Sequence, residues 1–295
     1  MLPKVIVLLS SFNGEKYITQ QVDSILSQSD VDIQLLIRDD GSNDRTLEIL
    51  KGYKDGRIRI STGKNMGSTA SFFRLIEEAG EADYYAFSDQ DDVWDDDKLF
   101  IAISSLEKYK AVPAIYSSNT RLVDQNLHFI SNETLNPRTT LGSAIVKNYV
   151  TGCTTVFNNE LMQYLKKSTN ITVPYHDWWA NLVALSVGGV SIYDVTPHMS
   201  YRQHANNVVG ATDSFIKKWQ KRFVKFKNTQ YHRDLIANKL LRIYSDKMSN
   251  SAIRTMKKIS DYQQNKCSII FDKNIRTNKK TDNLAFLICL LTNRI

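Results

Sequence analysis

The segment Lys4–Ser10 reads KVIVLLS, a short and nearly uninterrupted run of apolar residues. Such a run is typical of a strand that is covered on both faces in a parallel sheet. Residues 15–28 follow with apolar side chains at helical spacing, namely Tyr17, Ile18, Val22, Ile25 and Leu26. A buried strand followed by an amphipathic helix predicts the opening of a βαβ unit and favours an α/β fold.

The alternation of strand and helix continues to about residue 110. Further strands are predicted at 33–37, 57–61 and 84–88, and further helices at 44–52, 68–79 and 96–109. Four strand–helix units predict a doubly wound α/β sheet. Past residue 110 the pattern is less regular, and we expect strands at 114–117 and 190–193, a helix at 178–187, and loops or short strands at 119–150.

The composition is that of an ordinary globular protein. With 295 residues, 42% apolar and 23% charged, the chain can bury a sizeable core and falls outside the disordered and collagen-like classes. Its three cysteines cannot all pair and show no metal-ligand spacing, which argues against a disulfide scaffold or a zinc ribbon and favours a reducing compartment. A signal-peptide cleavage pattern is absent, and the longest late apolar stretch, 284–291, is too short to span a bilayer.

The net charge is unevenly distributed along the chain. The formal charge of +7 divides into −7 over residues 1–214 and +14 over residues 215–295. An acidic body suits metal or cation chemistry, whereas a basic region suits an anionic partner. We therefore expect a catalytic domain at 1–212 and a basic, mostly helical C-terminal region at 213–295.

The strongest chemical feature is the acidic segment 87–94, FSDQDDVW, directly after the fourth predicted strand. Loops at the carboxyl ends of strands are where ligands bind in open α/β sheets. Carboxylates one residue apart, such as Asp89 and Asp91, can converge on Mg²⁺ or Mn²⁺, which take oxygen ligands and bridge to phosphates. For an isolated pair of this kind, the alternative is a solvated turn that caps the next helix.

Two other polar turns follow predicted strands at the same edge of the sheet. Asp39 and Asp40 end the second strand and can accept a base N–H or a ribose hydroxyl. The turn after the first strand reads SSFNGE and includes Ser10, Phe12, Asn13 and Glu15. The three turns together predict a platform, a base-edge acceptor and a diphosphate-binding cation for a nucleotide. Neither GxxxxGK[ST] nor GxGxxG is present, which excludes the P-loop, kinase and dinucleotide-binding classes.

Over roughly residues 4–110 the chain resembles the family 2 glycosyltransferases in the order and spacing of four segments, which read SSFNGE, RDDGSNDRT, KNMG and FSDQDDVW. The resemblance implies a GT-A fold with a mixed central sheet and an inverting, metal-dependent transfer of a sugar from a nucleoside diphosphate. It also implies Mn²⁺ or Mg²⁺ as the cofactor, bound by the DXD motif of the family.

The resemblance assigns roles to individual residues of this sequence. Asp40, with Asp39 beside it, matches the acidic contact to the pyrimidine base. Asp91 matches the cation ligand and Asp89 the contact to ribose or sugar, with Gln90 between them in the nucleotide-sugar site. Asn65 and Gly67 match a loop near the nucleotide, for which a plain turn and helix cap is the alternative.

Two later segments resemble the remainder of the site. Asp177, in YHDWW, lies where family members place the general base, although His176-Asp177 replaces the commoner Glu-Asp pair; a helix N-cap is its alternative role. In YRQH, Arg202 can close over the diphosphate and His204 can ligate the metal, although a structural role is the alternative for a lone histidine. The Gln-x-x-Arg-Trp of processive members is missing, which favours the addition of one or a few sugars.

Within the family, RDDGS, SDQDDVW, HDWW and YRQH most resemble bacterial rhamnosyltransferases, which use dTDP-L-rhamnose. We therefore expect transfer of rhamnose to a glycan or polyprenyl-diphosphate-linked acceptor in cell-surface polysaccharide synthesis. UDP-linked galactose, glucose and N-acetylhexosamine remain open as donors. The sequence is also compatible with a sugar-1-phosphate nucleotidyltransferase, or with a non-enzymatic basic protein that binds membrane or nucleic acid.

The basic C-terminal region contains an amphipathic pattern. Apolar side chains recur at helical spacing among lysines and arginines, at Phe215, Trp219, Phe223 and Phe226. Such a helix can lie on an anionic membrane, bind nucleic acid, or pack on the catalytic domain or a second subunit. We expect a cytoplasmic protein, peripheral on the inner face of the cell membrane, with no nucleic-acid partner and with homo-oligomer formation left open.

Overall fold

The computed structural model describes residues 1–203 and 232–295. Its strands are β1 (Lys4–Ser11), β2 (Asp32–Asp39), β3 (Ile58–Thr62), β4 (Tyr84–Ser88), β5 (Val93–Trp94), β6 (Ala114–Ser118), β7 (Arg121–Val123), β8 (Phe129–Asn132), β9 (Val156–Asn158), β10 (Val190–Asp194) and β11 (Met199–Arg202). Its α-helices are α1 (Ile18–Leu26), α2 (Thr46–Gly52), α3 (Ser68–Glu78), α4 (Lys98–Leu106), α5 (Leu141–Val146), α6 (Asn159–Leu165), α7 (His176–Ser186), α8 (Arg233–Tyr244), α9 (Asn250–Ser260), α10 (Tyr262–Ile270) and α11 (Lys280–Leu291).

The centre of the fold is a seven-stranded sheet in the order β10-β6-β9-β4-β1-β2-β3. The strands β1 to β4 are parallel, β10 is parallel to β6, and β9 runs antiparallel between β4 and β6. The predicted α/β fold with a mixed central sheet is confirmed. The strand β1 lies at its centre with Val5 to Leu9 at most 2% exposed, because alternate side chains enter the two apolar clusters on opposite faces of the sheet.

A smaller sheet has the strand order β5-β11-β7-β8, and its strand β5 follows the acidic residues 89–92 in the chain. The strand β5 begins directly after Asp92 and pairs antiparallel with β11. Because β5 is only two residues long and β9 only three, neither gives a hydrophobic period that sequence patterning can detect. The region 119–150, expected as loops or short strands, contains β7, β8 and α5.

The described part of the C-terminal region packs on the catalytic domain. Apolar residues of α8 to α11 share one buried cluster with both tryptophans of α7, and these C-terminal residues include Ile236, Leu240, Tyr244, Met256 and Phe286. The guanidinium of Arg233 donates hydrogen bonds to the carbonyl oxygens of Ile145 and Val146, at 2.9 and 2.8 Å. The boundary predicted at 212/213 and the amphipathic segment 215–226 lie outside the described residues. Within the described ranges, no helix is both long and apolar enough to span a bilayer.

Replacement of the buried Arg233 tests whether this packing stabilises the whole protein. Arg233→Met should lower the free energy of unfolding by about 2–4 kcal/mol, because two buried carbonyl oxygens lose charged donors. Urea unfolding followed by circular dichroism measures the change. Arg242→Met, an exposed arginine on the same helix, is the matched control and should change stability by less than about 0.5 kcal/mol. Equal effects of the two variants would show that the interface contributes nothing specific.

Candidate active site

The three polar turns predicted to bind a nucleotide lie side by side at one edge of the central sheet. Parallel pairing puts Ser11 opposite Asp39 and Leu9 opposite Ser88, so β1, β2 and β4 end at the same edge. The amide of Asp40 donates to the carbonyl oxygen of Ser11 at 2.8 Å, which continues this pairing into the turns. The fold therefore assembles the three segments because their strands run in the same direction.

The side chain of Gln90 joins the first turn to the acidic segment. Its Oε1 accepts from the amide of Phe12 at 2.7 Å, and its Nε2 donates to the carbonyl oxygen of the same residue at 2.9 Å. A Cβ at position 14 would collide with Oε1 of Gln90, so Gly14 permits this close approach. The predicted sugar contact Gln90 thus has its amide group paired with the backbone in this structure.

The other polar residues of the first turn also bind neighbouring turns. The side chain of Asn13 accepts from the amide of Asn43 at 2.8 Å, and Glu15 accepts from the amide of Arg45 at 2.9 Å. The hydroxyl of Ser10 donates to Ser71 at the start of α3. In contrast, the ring of Phe12 is 41% exposed at this edge, where it is accessible to a ligand.

The carboxylates of Asp39 and Asp40 are both buried and both accept hydrogen bonds from the protein. Asp39 accepts from the amide of Ser42 at 2.9 Å. Asp40 forms an ion pair with Arg38 at 2.7 Å and accepts from the amides of Met66 at 3.1 Å and Gly67 at 2.9 Å. Asp40 thereby fixes the loop that contains the predicted nucleotide contacts Asn65 and Gly67.

That loop needs a glycine at its end and is exposed to solvent. Gly67 has φ of 85°, a conformation that a residue with a side chain rarely adopts. Asn65 and Met66 precede it and are both exposed. The loop leads into α3, whose Thr69 donates to the carbonyl oxygen of Pro174 at 3.2 Å, close to the start of α7.

The acidic segment and the predicted base lie at one site. Burial raises the pKa of Asp89 to about 7, and the nearby carboxylates of Asp91 and Asp177 contribute to the increase. Asp92 is fully buried, and burial together with Asp91 and Asp89 raises the pKa of its carboxyl well above the ordinary value. Because like charges destabilise one another most in a desolvated setting, this arrangement favours a cation or a proton.

Asp177 lies in the first turn of α7 and is 9% exposed. Burial raises the pKa of its carboxyl to about 6. Hydrogen bonds from the amide of Trp178 at 2.6 Å and from Asn148 at 3.3 Å lower the pKa and offset part of this increase. A carboxyl with this pKa is ionised at neutral pH and still basic enough to accept a proton. The helix begins at His176 with Tyr175 as its N-cap and no side-chain cap hydrogen bond, so the alternative role of Asp177 as an N-cap is wrong.

His176 takes the place of the commoner glutamate and packs as an aromatic ring. It stacks on Phe72 with ring centroids 3.8 Å apart and meets Phe87 edge-on at 4.7 Å. Burial lowers the pKa of His176 to about 3, so its ring is neutral. A Cβ at position 152 would lie 2.9 Å from Nε2, which explains the glycine there. His176 therefore orients the turn that carries Asp177.

Arg202 differs in placement from its predicted role at the diphosphate. The side chain is buried, and its guanidinium donates to the carbonyl oxygen of Asp91 at 2.8 Å, to that of Gln125 at 2.6 Å and to Oε1 of Gln20 at 2.6 Å. The guanidinium also lies 4.5 Å from the ring centroid of Tyr17. In this structure Arg202 holds the backbone of the acidic segment. His204 lies outside the described residues.

Sequence patterns did not indicate two buried groups beneath the acidic segment. Nζ of Lys98 lies 3.4 Å from the ring centroid of Trp94. Burial lowers the pKa of this lysine to about 7, although Cys153 and Asp92 act to raise it. One ligand atom each from Asp89, Asp92 and Cys153 lie within 4.8 Å of one another. A lysine in the first turn of a helix gives no sequence signal of burial, and Cys153 is remote in sequence from the acidic segment.

The donor set fits a hard divalent cation through its carboxylates. Burial raises the pKa of the Cys153 thiol well above its ordinary value, so the group is protonated and unsuited to ligate Mg²⁺ or Mn²⁺. The oxygen donors are those of Asp89, Asp91 and Asp92, whose mutual repulsion a cation would relieve. Among the described residues the grouped ligand atoms are those of Asp89, Asp92 and Cys153, and the predicted ligand His204 lies outside those residues.

Comparisons with known proteins identify the family of the chain. Residues 6–165 match the sequence model of the family described as Glycosyl transferase family 2. The chain is 34% identical over 258 residues to the dTDP-rhamnosyl transferase RfbG of Shigella flexneri, covering 79% of this chain and 84% of that protein.

Two solved structures share the fold. S. aureus TarS 1–349 in complex with UDP-GlcNAc aligns with a TM-score of 0.54 and 18% identity, over 87% of this chain and 79% of that one. The mannosyltransferase PcManGT from Pyrobaculum calidifontis, in complex with GDP-Man and Mn²⁺, aligns with a TM-score of 0.55 and 14% identity, over 100% of this chain and 87% of that one.

The ion pair of Asp40 with Arg38 should be a main determinant of stability at this edge. Asp40→Asn leaves a buried guanidinium without its counter-charge and should lower the free energy of unfolding by about 3–5 kcal/mol. The matched control is Asp55→Asn, which weakens the more exposed pair with Arg57 and should leave the free energy of unfolding nearly unchanged. Urea unfolding of both variants measures the difference. Comparable losses would contradict the structural role given to Asp40.

Proposed function

Because the chain belongs to glycosyl transferase family 2, we propose that it transfers a sugar with inversion from a nucleoside diphosphate to an acceptor hydroxyl at the site formed by its three strand-end turns. The observation that carries this proposal is the position of Asp177 beside the acidic segment: Gly152 lies against His176 and Asp177, and the next residue, Cys153, groups with Asp89 and Asp92 within 4.8 Å. A base beside a diphosphate-binding acidic cluster is the arrangement that glycosyl transfer requires.

The proposed donor is dTDP-L-rhamnose. Its support is the similarity to a dTDP-rhamnosyl transferase over 79% of this chain, together with the sequence segments that resemble rhamnosyltransferases. UDP-linked galactose, glucose or N-acetylhexosamine are the alternative donors. In the site, the exposed ring of Phe12 and the exposed loop at Asn65 and Gly67 are proposed to contact the nucleotide, while buried Asp39 and Asp40 fix the shape of the base pocket.

Asp177 is proposed to act as the general base. Its carboxylate takes the proton of the acceptor hydroxyl as the oxygen attacks the anomeric carbon from the face opposite the leaving diphosphate. The raised pKa suits this step, since a carboxylate of ordinary pKa would be a weaker base. Hydrogen bonds from Trp178 and Asn148 hold the carboxylate, and the stacked ring of His176 fixes the preceding backbone.

Asp91, with Asp89 and Asp92, is proposed to hold Mn²⁺ or Mg²⁺. When bound, such a cation neutralises charge on the diphosphate leaving group. Asp89 is proposed to contact the ribose or the sugar, and Arg202 keeps the backbone at Asp91 in position through its hydrogen bond to the carbonyl oxygen. A contribution from His204 is part of the same proposal.

The proposed acceptor is a glycan or a polyprenyl-diphosphate-linked sugar in cell-surface polysaccharide synthesis. Such an acceptor favours a protein on the inner, anionic face of the cell membrane, and the +14 charge of residues 215–295 supports this location. The alternative activity is sugar-1-phosphate nucleotidyl transfer. Incubation of donor with acceptor distinguishes the two, because glycosyl transfer releases a nucleoside diphosphate and nucleotidyl transfer involves pyrophosphate.

Substitution of the proposed base should separate catalysis from donor binding. Asp177→Asn should lower kcat by about 10²–10⁴-fold while the Kd for dTDP changes little, because the amide cannot accept the proton. The rate of the wild-type enzyme should fall below pH 6, since protonation removes the base and its pKa is about 6. Released dTDP measures turnover, and Asp261→Asn, in the C-terminal region, serves as the control. A near-normal rate for Asp177→Asn would place the base elsewhere.

Substitution of the proposed cation ligand should remove cation-dependent nucleotide binding. Wild-type protein with Mn²⁺ and dTDP at 100 times its Kd should gain about 2.7 kcal/mol of stability. Asp91→Asn should lose the part of this gain that depends on Mn²⁺, which thermal unfolding with and without Mn²⁺ measures. Asp96→Asn, an exposed aspartate five residues further along, is the matched control. Unchanged stabilisation of Asp91→Asn would contradict the assignment.

A further inference from the structure

The helix α11 has two apolar faces, of which the described residues cover one. Phe286, Cys289 and Leu290 enter the buried cluster shared with the catalytic domain. On the outer face, Leu284, Ile288 and Leu291 are 60%, 40% and 61% exposed. Thr281, Ala285 and Thr292 complete this exposed face, which therefore carries no charged side chain from 281 to 292. A surface helix normally presents charged or polar residues to water, so an uncharged outer face indicates a partner.

The surroundings of this face are positively charged. Residues 232–295 contain 13 Lys+Arg and 5 Asp+Glu, a net charge of +8. Two acids of this region are paired with lysines, Asp282 on α11 with Lys147 at 2.9 Å and Asp272 with Lys258 at 2.6 Å. Lys279 and Lys280 are exposed at the start of the helix. The outer face of α11 is apolar and the residues around it are positively charged. Together they complement a surface with an apolar interior and anionic groups at its boundary with water.

We propose that the outer face of α11 (Thr281, Leu284, Ala285, Ile288, Leu291 and Thr292) docks on an anionic lipid bilayer, with the three large side chains below the headgroups and Lys279 and Lys280 at the lipid phosphates. Apolar burial and attraction to anionic lipid add together in such a contact. A second copy of the chain fits less well, because two surfaces of the same positive charge repel each other. This inference rests on the proposed function and adds to it the surface that contacts the membrane. It does not depend on the amphipathic segment 215–226.

Vesicle co-sedimentation of the full chain tests this surface. Wild-type protein should bind vesicles of phosphatidylglycerol and phosphatidylcholine and should not bind phosphatidylcholine alone. The variant Leu284→Ser/Ile288→Ser/Leu291→Ser should need more than about 100-fold more lipid for half-binding, because three apolar side chains no longer insert. Phe129→Ser/Ile130→Ser removes exposed apolar side chains of β8 and is the matched control, expected to bind as wild type.

Charge variants test the electrostatic part of the same contact. Lys279→Gln/Lys280→Gln should weaken binding to anionic vesicles by roughly fivefold per lysine. Lys51→Gln/Lys54→Gln changes the net charge equally on the catalytic domain and should bind as wild type. Circular dichroism at the assay temperature verifies that every variant is folded.

Three outcomes would overturn the inference. They are equal vesicle binding by the α11 variant and wild type, equal effects of the two lysine pairs, and a change from dimer to monomer in light scattering with vesicle binding intact, which would make α11 an interface between copies. The assay contains no sugar donor. The vesicle assay therefore tests the membrane surface independently of the proposed function. The proposed function is tested by the Asp177 and Asp91 variants, and the membrane surface by the α11 variants.

Discussion

The structure depends on the common direction of β1, β2 and β4, which brings polar turns from distant parts of the chain to one edge of the sheet. At that edge the carboxylates of Asp91 and Asp177 contribute to the raised pKa of Asp89, and Asp92 beside them is fully buried. Like charges held this way cost folding free energy, and natural sequences retain such a cost where function requires it. A bound cation would relieve this repulsion, and the raised pKa of Asp177 would assist a proton transfer.

A neutral, a cationic and an anionic side chain keep this edge in one shape. Gln90 joins the acidic segment to the first turn, Arg202 holds the backbone at Asp91, and Asp40 fixes the loop ending at Gly67. All three have side-chain hydrogen bonds to the backbone, which orient the turns more rigidly than contacts between two side chains would. A catalytic site on loops needs such support, since small displacements of reacting groups cost much of the rate.

The sequence predicted the strand–helix units and the site at the strand ends because burial of β1 and the order of the motifs are local properties. It did not predict that Asp40 and Arg202 are buried and bonded to the protein, since the bonds of Asp40 to the loop at Gly67 and of Arg202 to Asp91 join residues far apart in the chain. The same reason explains the missed Cys153, whereas Lys98 is near Asp92 in sequence and its burial depends on tertiary packing. The two-residue β5 and the three-residue β9 are too short for a periodic pattern, and their pairing depends on tertiary contacts.

Paramagnetic broadening by Mn²⁺ tests the central claim, that one cation site lies beside Asp177. In protein with ¹³C-labelled aspartate carboxyls, Mn²⁺ with dTDP should broaden the resonances of Asp89, Asp91, Asp92 and Asp177 together. The resonance of Asp55, which precedes β3 at the opposite edge of the sheet, should stay sharp. Broadening of the acidic segment with a sharp Asp177 resonance would show that base and cation do not share a site and would contradict the account.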